Sequence, residues 1–182
     1  GRFDSGGQRR VAAPGHDNHA LMFYAPEEQV LISGDALWED GFGVLFPQLF
    51  GHTGTFAETR RTLDSIATLE VRTVIPGHGE PFEEVDAALE RAYSRLHAFE
   101  EDPARLARHA ARVMLTFTLL EKQRLPLASL ADYVAHTGIL RDINQRFLAM
   151  APQHFAEWLV HELERVRAAK CEGGDLVPLV NA

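Results

Sequence analysis

Residues 19–37, HALMFYAPEEQVLISGDAL, hold two short apolar runs, Ala20–Ala25 and Gln29–Ser33, separated by Pro26, Glu27 and Glu28. Short runs rich in Phe, Tyr, Val and Ile and bounded by turn residues mark paired strands, so the stretch reads as a β-hairpin. Apolar residues stand at successive rather than alternate positions, which predicts a sheet covered on both faces. With the turn centred on Glu27, Phe23 faces Leu31, Leu21 faces Ser33, and His19 faces Asp35. Directly opposed residues have Cβ atoms roughly 4.5–5.5 Å apart, so this register brings an imidazole and a carboxylate within reach of one ion.

Upstream, the Gly-rich polar residues 1–10 are expected to be loose, and Val11–Ala13 reads as a strand stub ending at Pro14 and Gly15. Downstream, residues 36–55 carry Trp38, Phe42, Phe46 and Phe50 without a clean period. A connection that long is usually functional, and this one leaves Asp35 directly, as a substrate wall or as core packing. Phe56–Leu69 has helical spacing (Phe56, Leu63, Ile66, Ala67) with Thr55 as N-cap and Glu58 three residues on. Arg72–Ile75 is a strand, broken by Pro76 and Gly77, after which His78 projects from a tight Pro76-Gly77-His78-Gly79 turn. Strand, helix, strand in that order is a layered α/β domain.

From Glu83 the pattern becomes helical: Val85–Glu100, Ala104–Glu121, Leu127–His136 and Gln153–Lys170, punctuated by Pro103, Pro126, Gly138 and Pro152. The division is therefore residues 1–82, α/β, and residues 83–182, a helical module comparable to a winged helix. No internal repeat is present.

The chain has 182 residues, 46% of them hydrophobic, and a net charge of −8. Residues 1–100 hold 16 acidic against 8 basic side chains, a balance that repels phosphate backbones and makes nucleic acid an unlikely partner. No apolar run approaches the roughly 20 residues of a membrane span, and no secretory segment is visible, so a cytoplasmic protein without a membrane partner is expected. The single cysteine, Cys171, has no internal disulfide partner.

An imidazole and a carboxylate from the hairpin, joined by the imidazole of His78, suit Zn²⁺, with Fe or Mn²⁺ as alternatives. Singly, each residue has an ordinary role: an Asp after a strand caps a helix, and a His in a Gly turn hydrogen-bonds locally. His52 reads as a surface residue, and His97, His109, His136, His154 and His161 as structural or solvated.

Ala13-Pro14-Gly15-His16-Asp17-Asn18-His19, Leu31-Ile32-Ser33-Gly34-Asp35-Ala36-Leu37 and Val74-Ile75-Pro76-Gly77-His78-Gly79 together resemble the metallo-β-lactamase superfamily in its glyoxalase-II-like branch. Their order is that of the family's third, fourth and fifth metal motifs. The resemblance implies that His19 binds one metal, that Asp35 bridges two and is the catalytic carboxylate, and that His78 binds the second. The third motif usually reads Pro-Gly-His-Thr-x-Gly-His and is one residue shorter here, which leaves His16 beside His19 as a candidate. His19 is preferred because it begins a strand and faces Asp35, with His16 in support.

The resemblance covers roughly residues 11–82 and implies the second half of an αββα sandwich followed by a C-terminal helical module. The family's first motif, His-x-His-x-Asp-His, occurs nowhere in the sequence, so the chain is expected to be a C-terminal fragment. What the resemblance implies for the intact protein is hydrolysis of an ester, thioester, amide or phosphoester bond of a small-molecule substrate, with two divalent ions. The chain alone is expected to hold a metal loosely or not at all and to be inactive. The alternative reading is a non-catalytic structural or dimerisation module, and self-association is expected under either, because half a sandwich exposes apolar strand faces.

Overall fold

The computed structural model describes residues 7–179, and the chain divides into two compact units, Gly1–Asp102 and Pro103–Ala182. The expectation of looseness for the first six residues lies outside the described range. The first unit runs β1 (Arg9–Ala12), β2 (Leu21–Ala25), β3 (Val30–Gly34), α1 (Phe46–Leu49), α2 (Thr55–Ala67), β4 (Thr73–Pro76) and α3 (Val85–Glu101). Its four strands lie in the order β1-β2-β3-β4, antiparallel from β1 to β3 and parallel between β3 and β4. A parallel pair needs a long crossover, and the aromatic loop with α1 and α2 supplies it.

The hairpin forms, with a register one residue from the expected one. Phe23 pairs with Ile32, Tyr24 with Leu31 and Ala25 with Val30. The turn occupies the four residues from Pro26 to Gln29, and Gln29 takes a positive φ of 55°, so its centre falls between Glu27 and Glu28. Because side chains alternate along a strand, this shift exchanges the faces of the cross-strand partners. It also removes the basis for facing His19 with Asp35.

One face of the sheet buries Met22, Tyr24, Leu31, Ser33 and Val74. The sides of α2 and α3 that carry Leu63 and Ile66, and Ala88, Leu89, Ala92 and Leu96, are buried too, and the two helices pack on each other. Each fully buried Leu or Phe contributes about 1.5–3 kcal/mol. The opposite face is open: Leu21, Phe23, Ile32 and Ile75 are 37–47% exposed. The expected cover on both faces is thus absent among the described residues. Thr55 is not a cap either; it is the first helical residue, its hydroxyl donates to the His52 carbonyl, and the N-cap is Gly54. Since α3 packs on α2, it clusters with the first unit, whereas the sequence reading had divided the chain after residue 82.

The second unit contains α4 (Pro103–Lys122), β5 (Leu125–Pro126), α5 (Leu127–His136), α6 (Gly138–Ile143) continuing into a π-helical turn (Asn144–Leu148), α7 (Pro152–Arg165), β6 (Ala169–Glu172) and β7 (Asp175–Pro178). It is not wholly helical as expected: β5, β7 and β6 form an antiparallel sheet in that order. The helix expected to reach Lys170 stops at Arg165, because Gly173 and Gly174, both at positive φ, turn the tail back as a hairpin. Buried Asn144 is satisfied at both ends of its amide by the Met150 backbone. Glu162 accepts hydrogen bonds from Arg165 and Arg112, and the two guanidiniums hold its carboxyl down at about 2 against burial, which opposes them. Among the described residues no helix is long and apolar enough to cross a membrane.

Candidate functional site

Parallel neighbours β3 and β4 end on the same side of the sheet, and both candidate ligands after them leave from those ends, the usual place for ligand-binding residues in such sheets. Asp35 directly follows β3, and His78 stands two residues beyond β4. The Gly77 N–H donates to the Gly34 carbonyl at 2.8 Å, tying the two ends together. The third member comes from the β1–β2 loop: Thr62 of α2 donates its hydroxyl to the Pro14 carbonyl, which fixes the turn that presents His16.

Asp35 stands between two imidazoles. His16 Nε2 lies 3.5 Å from Oδ2, and His78 Nε2 lies 3.8 Å from Oδ1. The Val44 carbonyl, 2.6 Å from His16 Nδ1, can only accept, so Nδ1 carries the proton and a neutral His16 turns its Nε2 lone pair towards Asp35. Two electron-rich atoms that face each other in this way call for a positive charge between them, a proton or a metal ion.

No group of three His, Cys, Asp or Glu side chains among the described residues encloses a metal ion. The arrangement is instead two pairs that share one carboxylate. Two ligands bound to one Zn²⁺ at about 2.1 Å with a tetrahedral angle are about 3.4 Å apart, close to both separations observed. Each separation is thus one that two donors to a single ion adopt, and the three residues present fewer donors than a closed site needs.

His19 does not take part. It is exposed, and its backbone N–H donates to the Asp17 carboxylate at 2.7 Å. The preference for His19 rested on the register now corrected, and β2 begins only at Leu21. A signal for His16 was present in the sequence: Pro14-Gly15-His16 repeats the Pro-Gly-His of residues 76–78.

The aromatic loop divides between the two expected roles. Phe42 is buried against Phe99, whereas Trp38 and Phe46 set ring edges against His78 and His16, at centroid distances of 5.2 and 5.8 Å. Trp38 also donates its indole N–H to Asp35 Oδ1 at 3.2 Å, a contact the sequence reading missed. Two glycines pack against Asp35 too closely to carry a side chain. A Cβ at Gly43 would lie 2.8 Å from both Asp35 Cβ and His16 Nδ1, and one at Gly77 would lie 2.9 Å from Asp35 Oδ1. Away from the site, His52 pairs with the half-buried Glu58, and on the surface His97 pairs with Glu101 and His136 with Asp132.

No curated protein matches the sequence. Among solved structures, the chain is similar to a metallo-beta-lactamase family protein from Thermus thermophilus, at 21% identity over 98% of this chain and 52% of that one, with a TM-score of 0.44. It is also similar to a beta-lactamase domain protein from Burkholderia ambifaria, at 17% identity over 98% of this chain and 50% of that one, with a TM-score of 0.38. The chain thus spans about half the length of these two structures. Residues 1–78 match the family model of the metallo-beta-lactamase superfamily, and that stretch contains all three members of the cluster, His16, Asp35 and His78.

Proposed function

We propose that this chain supplies His16, Asp35 and His78 to the divalent metal centre of a hydrolase, with Asp35 shared between two ions. The observation that carries the reading is the Asp35 carboxylate itself, each of whose oxygens faces a different imidazole nitrogen. In this proposal the first unit is the second half of an αββα domain of the glyoxalase-II-like branch, and the second unit is its C-terminal module. Zn²⁺ is the preferred ion, with Fe or Mn²⁺ as alternatives. Bound there, such ions polarise an ester, thioester, amide or phosphoester bond and bring the pKa of a bound water from about 16 towards about 7. The chain's own residues hold and orient: His16 through its Val44 bond, His78 from the tied ends of β3 and β4, and Asp35 between them.

The test compares this chain with a full-length protein that carries the first motif, on thioester, lactam and phosphodiester substrates with added Zn²⁺, Mn²⁺ or Fe²⁺. The expected result is turnover by the full-length protein that is lost with chelator and in Asp35→Ala, and none above buffer by residues 1–182 alone. Robust metal-dependent turnover by the chain alone, or an Asp35→Ala protein as active as its parent, contradicts the reading. A second reading, a non-catalytic dimerisation module, draws on the exposed row of Phe23, Ile32 and Ile75.

A further inference from the structure

We propose that Trp38 is the positioning residue of this site, fixing which Asp35 oxygen serves which imidazole. The inference rests on the reading of Asp35 and His78 as ligands and adds the side chain that sets their relation. A carboxylate is symmetric, so rotation by half a turn would exchange its oxygens with no change in charge or shape. Trp38 breaks that symmetry. Its Nε1–H is shared between the Gly34 carbonyl at 3.1 Å and Asp35 Oδ1 at 3.2 Å, which occupies one lone pair of Oδ1 and leaves Oδ2 to His16. The same indole meets the His78 ring nearly at right angles, at 77°, so one side chain contacts both partners of the Oδ1 pair.

Trp38 holds this place by contacts independent of Asp35. Its backbone N–H donates to the Gly41 carbonyl at 2.6 Å, and the Gly41 N–H returns the bond at 3.2 Å, closing residues 38–41 into a tight loop. Arg91 of α3 donates Nε to the Glu39 carbonyl at 2.7 Å and lies 3.7 Å from the Asp40 carboxylate. The indole is therefore braced by a helix of the same unit. His78 is the member that gains most, because its side chain is 57% exposed and sits between two glycines. Partners that orient metal ligands in this way typically change metal affinity by about 10–100-fold when removed.

The test uses Trp38→Phe, which keeps a ring beside His78 and removes the donor, and Trp38→Leu, which removes both. Arg91→Ala serves as a third variant that loosens the brace without touching the site. Without metal, the Asp35 carboxylate carbon and the His78 ring are followed by NMR; with metal, Zn²⁺ affinity is measured in a full-length protein that carries the first motif, by competition with a chromophoric chelator. The proposal expects the Asp35 resonance to move in both Trp38 variants and that of His78 to move clearly in Trp38→Leu. It expects Zn²⁺ binding to weaken about 10-fold or more in Trp38→Phe and by a smaller factor in Arg91→Ala. An unmoved Asp35 resonance in a folded Trp38→Phe overturns it, as does wild-type affinity in that variant. Should a full-length protein that carries the first motif bind no Zn²⁺ while the metal-free resonances move as expected, the metal-centre reading fails and the positioning role of Trp38 stands.

Discussion

At the Asp35 carboxylate the space is set by residues with no side chain. Gly43 is buried, and a methyl group there would meet Asp35 Cβ and the His16 ring at 2.8 Å. Neither neighbour is the free end of a flexible chain, since His16 is held by Val44 and Asp35 by Trp38. Gly43→Ala should therefore cost about 1–3 kcal/mol, the usual effect of overfilling a packed site, measured by equilibrium urea unfolding. An unchanged midpoint would mean that the site gives way easily. At this scale the sequence was only partly informative. Asp35 and His78 were picked out because each stands in a short Gly turn at a strand end, Asp35 next to β3 and His78 two residues past β4. His16 was passed over in favour of His19 because a one-residue error in register decided between them. Trp38 and Gly43 were not recognised, because their roles depend on a loop closing back on Asp35, which no periodicity encodes.

Among the elements, α7 depends on a charge network at its C-terminal end. Glu162 joins Arg165 on its own helix to Arg112 on α4, and its side chain is only 14% exposed. Its carboxyl is held at about 2, first by the Arg165 hydrogen bond and then by Arg112, against an ordinary value of 4.5. A depressed carboxyl stabilises the fold fully above its unfolded value, and that contribution fades as pH falls from about 4.5 to about 2. Glu162→Gln should thus lose about 1–3 kcal/mol at neutral pH, and the difference from wild type should vanish near pH 2. Thermal unfolding across that range checks it, and a gap that persists at the acid end contradicts the assignment. Helices α2 to α5 were readable from their apolar spacing, α5 to the residue, whereas α1 and α6 were not expected. The end of α7 was not: Val166–Lys170 continues a helical composition, and only the Gly173-Gly174 hairpin downstream overrides it.

For the whole molecule, the open sheet face is the feature with the largest consequence. Phe23, Ile32 and Ile75 stand side by side in register across three strands, with Leu21 further along β2. An apolar row of this kind favours association with any matching surface. The chain is expected to self-associate at micromolar concentration, and the double substitution Phe23→Lys with Ile32→Lys should return it to a monomer in sedimentation. A folded wild-type monomer at that concentration runs against this expectation. The sequence signalled the open face through its unbroken apolar runs, which ask for cover on both sides; composition alone carried no information on how much cover residues 7–179 provide.

The central claim, that His16 and His78 rather than His19 join Asp35 in a metal site, is tested most directly by titrating a full-length protein that carries the first motif with Zn²⁺ and following the nitrogens of these three histidines by NMR. Direct ligation moves the coordinating nitrogen strongly and leaves a remote imidazole nearly unchanged. The account predicts that Nε2 of His16 and of His78 shift together, that His19 stays in place, and that Asp35→Ala abolishes both shifts. A Zn²⁺-dependent shift at His19 with none at His16, or shifts that survive the loss of Asp35, would contradict it.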